Sequence, residues 1–434
     1  MLMNCVSLGV VWFRRTVAAC DAESMRFSQR TAWNTEATAL TRALEARRRS
    51  ALPVLDLTAS NPTRCGFRSS DDLLLPMTGA EVLDYDPDPR GRRSARQAIA
   101  AYYAARGVRL EPEQLVLTTG TSEAYSFLFR LLCDPGDEIL VPAPGYPLFD
   151  FLADAECVRL VTTPLVYDGA WQLDLATLEA GMTARTRAVV LVHPNNPTGH
   201  YTTHAESDAL FAICRRHRLA VIVDEVFLDY PLQSVAAADA ASFLARPTDI
   251  PVFVVSGISK IAALPQMKLA WIAVAGGESV EAASTREAAL ERLEVLADTF
   301  LSVSTPVQVA LPQWLAQSDA MQERICARVS ANLSALDALL AAQPVCWVSR
   351  LRAEAGWYAI VRVPALQTDE ELAMMLLERG VWVHPGSFFA MPQAGWLVLS
   401  LLTPQDEFAA GLRVLLEAVA QQASEQERDQ ARRR

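Results

Sequence analysis

The sequence predicts an α/β protein: a large domain with a mostly parallel sheet between helices, followed by a smaller α+β domain. Three observations lead there. Short continuous apolar runs recur along the middle of the chain with helical stretches between them, as strands buried on both faces of a parallel sheet require. The C-terminal part mixes helices and strands without that regular alternation. At 434 residues, 51% of them hydrophobic, the chain can fill more than one core.

The elements follow in chain order. Asn34 to Arg48 reads as a helix, with Leu40 and Leu44 at helical spacing, before the extended LPVLDL at 52–57. SNPT at 60–63 breaks the pattern as a loop, and Ser94 to Arg106 forms a second helix. The buried runs are LVL at 115–117, EILV at 138–141, AVVLV at 188–192, LAVIV at 219–223, VFVV at 252–255 and LAWIAV at 269–274. Val280 to Ala297 is a long amphipathic helix carrying Ala289, Leu293 and Leu296, and Pro306 ends the element after it. GWYAIVRV and GWLVLSLL supply strands to the second domain. The expected organisation is a poorly ordered extension (1–30), a segment packing with the small domain (31–75), the large domain (76–310), the small domain (311–420) and a disordered tail (421–434), the last because QQASEQERDQARRR is poor in apolar residues.

A net charge of −11 disfavours nucleic acid as a partner, since phosphate binding relies on a basic surface. Eight scattered cysteines lack metal or disulfide spacing and read as reduced cytoplasmic thiols. In the opening segment the arginines follow the apolar run instead of preceding it, and the run is too short to span a bilayer, so neither a targeting signal nor membrane association is expected. Met25 offers a later start. The five histidines show no ligand or triad spacing, and the apolar positions of HPGSFF at 384–389 read as core.

The chemistry begins with lysine. Lys260 and Lys268 are the only lysines among 39 basic residues, and they follow a buried strand. Arginine stays protonated and cannot form an imine, whereas a desolvated lysine amine can attack an aldehyde. Other candidates stand just after the apolar runs, where open parallel sheets bind ligands. Gly120, Thr121 and Ser122 open a helix whose amides suit a phosphate. Tyr146 follows EILVPAP in a turn able to present an aromatic face. Asn196 sits between prolines in HPNNPTG. Asp224 ends a buried strand and needs a cationic or protonated partner there.

HPNNPTG at 193–199, DEV at 224–226 and GISK at 257–260, in that order and spacing, make residues 50–405 resemble the class I and II aminotransferases, pyridoxal phosphate enzymes of fold type I. The resemblance implies a seven-stranded-type sheet, pyridoxal 5'-phosphate as cofactor, and transfer of an amino group between an amino acid or amine and a 2-oxo acid. By position, Lys260 resembles the lysine that holds the cofactor as a Schiff base and shuttles the proton at the substrate carbon. Asp224 resembles the carboxylate paired with the ring nitrogen, Asn196 the donor to the phenolate oxygen, and Tyr146 the stacking aromatic residue. Gly120, Thr121 and Ser122, with Ser259, match the phosphate turn. Tyr85, in YDPDPRG, resembles the tyrosine reaching the partner subunit's phosphate, which implies a homodimer.

Four positions depart from the pattern. Phe227 stands where a tyrosine donates to the phenolate oxygen, a loss expected to raise the pKa of the lysine imine. Gly257 replaces a phosphate-binding hydroxyl residue, and Lys268 replaces a phosphate-binding arginine, keeping the charge without its fork. Val398 occupies the place of the arginine that clamps the substrate carboxylate, so either Arg64 or Arg90 supplies that charge or the substrate lacks an ordinary α-carboxylate. Two other readings are open to a chain of this kind: another reaction of the same cofactor, such as β-elimination or decarboxylation, and a non-catalytic cofactor-binding regulator. Acyl transfer is disfavoured by Tyr146, where such enzymes carry histidine, and the regulator by the short N-terminal region and the acidic balance.

Overall fold

The computed structural model describes residues 27–147, 149–277 and 279–433; most of the proposed extension, Met25 included, lies outside them. A helix at Ala39–Arg49 leads into β1 (Leu55–Asp56). The helix starts later than Asn34 because the Thr38 side chain accepts the amide of Thr41 at 3.1 Å and caps it there. A helix at Arg93–Ala104 precedes the large sheet, whose strands are β2 (Leu115–Thr118), β3 (Glu138–Ala143), β4 (Arg159–Tyr167), β5 (Trp171–Leu173), β6 (Thr186–Val192), β7 (Ala220–Asp224), β8 (Val252–Gly257) and β9 (Ala270–Ala275).

The strand order is β2-β9-β8-β7-β6-β3-β4-β5, so the sheet has eight strands. Pairing is parallel from β8 through β7, β6 and β3 to β4, and antiparallel where β9 meets β2 and β8 and where β4 meets β5. It follows that β2, β3, β6, β7 and β8 all point the same way and deliver the loops after them to one edge. The six apolar runs are all strands. The two strands outside that set, β4 and β5, lie at the sheet edge, where β4 alternates exposed and buried residues instead of forming an apolar run.

Side-chain alternation divides the core. Val189, Leu191, Leu115 and Leu117 pack on one face with the helix Thr305–Ala316, while Ala188, Val190, Val192 and Val116 pack on the other with the helices Thr121–Leu132 and Val280–Phe300. Each of the fully buried valine and leucine side chains contributes roughly 1.5–3 kcal/mol.

The second body holds a four-stranded antiparallel sheet in the order β10-β11-β14-β13, from β10 (Ser349–Arg350), β11 (Tyr358–Arg362), β13 (His384–Pro385) and β14 (Trp396–Ser400). The N-terminal segment joins it: β1 pairs in parallel with β12 (Val381–Trp382), and Leu40, Leu44 and Leu57 enter the same cluster as Leu376, Leu397 and Leu415. The tail differs from its expectation, because residues 421–433 continue the helix Gln405–Arg433. Phe408, Leu412, Leu415 and Val419 bury its first half, and glutamine, glutamate and arginine propagate an established helix at little cost.

Candidate active site

Five strand ends converge on a cavity of about 600 Å³ between the large sheet and the N-terminal segment with the small domain. Thr121 and Ser122 reach it from the turn after β2, Tyr146 from the loop after β3, Asn196 after β6, Asp224 and Phe227 at β7, and Ser259, Lys260 and Lys268 after β8. Nearly every residue singled out from the sequence is thus brought to one wall.

Lys260 lies on a single helical turn, Ile258–Ile261, and its carbonyl accepts the Tyr230 hydroxyl at 2.5 Å. Its Nζ faces two aromatic rings, 4.9 Å from the Trp357 centroid and 5.5 Å from that of Phe227. Burial pushes the amine down to about 8, partly opposed by the Asp224 carboxylate. Asp224 is itself buried, and desolvation raises it to about 6 against the hydrogen bonds that favour its charged form. Those bonds come from the Val226 amide to Oδ1 at 3.0 Å and the Tyr125 hydroxyl to Oδ2 at 3.2 Å. Sequence reasoning missed Tyr125: it lies inside a helix, and nothing in its spacing separates it from a core aromatic residue.

The turn before Thr121–Leu132 faces Lys268. Gly120 is extended and lies just outside the main cavity lining, in the small crevice beside Ser259 and Lys268. A Cβ built on it would stand 3.8 Å from Lys268 Nζ, an ordinary contact distance, so the ammonium lies close beside the helix start. Lys268 holds a left-handed backbone conformation, with φ of 55°.

The HPNNPTG loop is pinned to the small domain. Gly199 accepts the amides of Glu354 and Ala355 at 3.1 and 3.0 Å, and with φ of +69° and a Cβ position 2.5 Å from the Ala355 oxygen no other residue fits. Asn195 is consumed locally, its Oδ1 accepting the Thr198 hydroxyl at 2.9 Å. Asn196 is the one aimed into the cavity: buried, with its Oδ1 lacking any partner.

Two candidates, and the position of the missing arginine, lie elsewhere. Tyr85 is 84% exposed on a separate surface crevice with Leu301 and Ser304. Arg90 is committed to Glu294 at 2.6 Å and to the Glu113 carbonyl at 3.0 Å. Val398 is fully buried in β14 between Ile360 and His384 and contributes no charge. Arg64 does line the cavity, together with Ser60, Asn61 and Thr63 of the same loop.

The match to known proteins is broad. The family model for aminotransferase class I and II covers residues 83–414. The chain belongs to this aminotransferase family. It is 30% identical over 274 residues to the glutamate-pyruvate aminotransferase AlaA of Escherichia coli (strain K12), covering 63% of this chain and 66% of that one, just under two thirds of its length. It is 27% identical over 384 residues to the alanine aminotransferase of Mycobacterium tuberculosis (strain ATCC 25618 / H37Rv), covering 83% and 84%. The fold matches the alanine aminotransferase from Pyrococcus furiosus with a TM-score of 0.78 at 22% identity, over 90% of this chain and 100% of that one.

Aminotransferases of this family use pyridoxal 5'-phosphate, and the residues here fit it. Asn196 brings to the cavity a side-chain amide whose NH2 group can donate to a phenolate oxygen, Lys268 sets an ammonium beside the helix start at Gly120 where an anion is favoured, and the buried Asp224 lacks a full counter-charge.

Proposed function

We propose that the protein is a pyridoxal phosphate-dependent aminotransferase that moves an amino group between an amino acid and a 2-oxo acid. The observation that carries this reading is Lys260: a buried primary amine, depressed to about 8, in a cavity that Asp224 and Asn196 also line. The family membership supports amino transfer over elimination or decarboxylation, because the similar proteins named above are aminotransferases. When bound, the cofactor supplies an electron sink for the substrate carbon.

The chain's own residues do the rest. Thr121, Ser122, Ser259 and Lys268, with the amides after Gly120, would hold the phosphate through the helix start and one ammonium. Tyr146 would cover the ring, and Asn196 would engage its phenolate oxygen. Asp224 would face the ring nitrogen, where a cation brings its raised carboxyl back to the charged form. Lys260 would anchor the cofactor at Nζ, and that same amine, easily neutral, takes a proton from the substrate carbon and returns it. Phe227 places a hydrocarbon ring beside this amine where a hydroxyl is usual.

A homodimer accords with the exposed Leu74, Leu75, Leu83 and Tyr85, which cluster on one short stretch suited to a second copy. The partition into 76–310 and 311–420 accords with the eight-stranded and four-stranded sheets, except that the helix Thr305–Ala316, packed on the large sheet, crosses the boundary. The six cysteines among the described residues are unpaired, which supports a cytoplasmic enzyme; no helix among them is long and apolar enough to cross a membrane.

The test is spectroscopic. The purified protein should carry a visible cofactor band that disappears in Lys260→Ala. One amino acid of a panel should convert the band, and a 2-oxo acid should restore it. A band that no amino acid converts reversibly overturns the reading.

A further inference from the structure

The cavity wall holds four charged side chains: Arg64, Asp224, Lys260 and Lys268. Three are accounted for by position. Lys260 is buried at the floor against Phe227 and Trp357, Asp224 is hydrogen-bonded beside it, and Lys268 faces the helix start at Gly120. An amino acid entering this cavity carries a carboxylate, and Asp224 repels it. Arg64 is the remaining cation.

The loop that carries Arg64 is rigid while its guanidinium is uncommitted. Asn61 Oδ1 accepts the amides of Thr63 at 3.1 Å and Arg64 at 3.4 Å, and the Cys65 and Phe67 amides donate to the carbonyls of Asn61 and Pro62 at 3.0 and 2.9 Å. Arg328 donates to the Cys65 carbonyl at 3.3 Å and stacks its guanidinium over the buried Phe67, 5.1 Å from the ring centroid. Among the described residues no hydrogen bond or ion pair engages the Arg64 side chain. Arg324 nearby reaches the Arg68 carbonyl, and Arg90, away from the cavity, is bound to Glu294. The strand position that would otherwise offer a charge from the small domain is Val398, sealed in the core.

We propose that Arg64 binds the substrate α-carboxylate, so that carboxylate recognition sits on the N-terminal loop at the exposed rim of the cavity instead of on β14. This rests on the aminotransferase reading above and adds the residue that selects amino acids over plain amines. A guanidinium fork matches a carboxylate in two parallel hydrogen bonds. At an exposed rim the attraction is screened by salt, unlike a buried pair.

The experiment uses the cofactor-loaded protein and follows conversion of the visible band as substrate concentration rises, with L-alanine, L-phenylalanine and L-tyrosine beside their carboxylate-free counterparts ethylamine, 2-phenylethylamine and tyramine. Binding of 2-methylalanine, which has no transferable α-proton, is followed in parallel by its spectral shift. Arg64→Ala is expected to raise half-saturating amino-acid concentrations and the 2-methylalanine dissociation constant by about ten- to a hundred-fold, leaving the starting band, the maximal rate and the amines nearly unaffected. Arg64→Lys should recover part of the loss, and salt should weaken the wild type but not Arg64→Ala. Amino-acid conversion that is intact in Arg64→Ala overturns the assignment while leaving the aminotransferase reading standing. Amines converted as well as amino acids by the wild type also overturn it. No conversion by any amino acid in the wild type fails the aminotransferase reading itself, and the assignment with it.

Discussion

Gly257 at the end of β8 lies directly opposite Ala270 at the start of β9, and a Cβ built on Gly257 would stand 2.8 Å from the Ala270 Cβ. The missing hydroxyl at 257 is therefore matched by a methyl group across the strand pair. One residue gave up its side chain where the other kept one, and the phosphate end of the cavity loses a hydroxyl without losing packing.

This relationship predicts a compensated pair. Gly257→Ser alone should destabilise the protein by about 1–3 kcal/mol through overpacking. Combined with Ala270→Gly it should recover part of that loss, since the Ala270 Cα at 2.9 Å and the Leu269 oxygen at 3.0 Å still crowd the new Cβ, and tighten cofactor binding. A double-mutant cycle by denaturant melts measures the coupling, and strict additivity would show that the two sites do not share space.

The buried amine of Lys260 predicts a pH-dependent stability. Its folded pKa lies near 8 and its unfolded value at 10.5, so the unfolded chain binds the proton more tightly between those limits. The cofactor-free protein carries the full penalty below pH 8, roughly 3 kcal/mol for a depression of this size. The penalty shrinks as pH rises and is gone above 10.5. Lys260→Met should therefore stabilise the cofactor-free protein near pH 7 and lose that advantage at pH 10.5 or above. Equal stabilisation at both pH values would contradict the depressed amine.

Asp224 and Tyr125 should act together on the cofactor. Asp224→Asn is expected to slow the amino-acid half-reaction by about 10²-fold or more without lowering thermal stability, since the carboxylate is costly to bury. Tyr125→Phe removes the bond that favours the charged carboxylate, raising its pKa further above 6 and moving the acid limit of cofactor binding to higher pH. Titration of cofactor affinity between pH 5 and 8 checks the sign.

Phe227→Tyr restores a hydroxyl beside the amine, where the ring already lies 5.5 Å from Nζ. The bound cofactor's visible band should then change at a lower pH than in the wild type. A midpoint that stays put would mean that the new hydroxyl turns away from the cavity, towards Trp357, whose ring packs 5.3 Å from Phe227.

Much of this was legible because burial and backbone constraints write themselves locally. Apolar runs such as AVVLV and LAVIV mark strands covered on both faces, and Lys260, Asp224 and Asn196 declare themselves by chemistry that arginine, an apolar residue or a free loop could not replace. The edge strands Arg159–Tyr167 and Trp171–Leu173 were not legible, because half-exposed strands carry no continuous apolar signal. Nor was the helical tail, whose order derives from the buried turns before it.

The tertiary structure alone decided which polar groups share a cavity. Arg64 and Arg90 look alike in the chain, yet Glu294, 204 residues beyond Arg90, claims one and leaves the other at the rim. Tyr125 is an ordinary helical aromatic residue until folding sets its hydroxyl against Asp224, 99 positions away. Local sequence determines what each residue can do, because propensity and ionisation are properties of the residue and its near neighbours. Which partner it meets is a property of long-range packing, and that packing separates a committed charge from one available to a substrate.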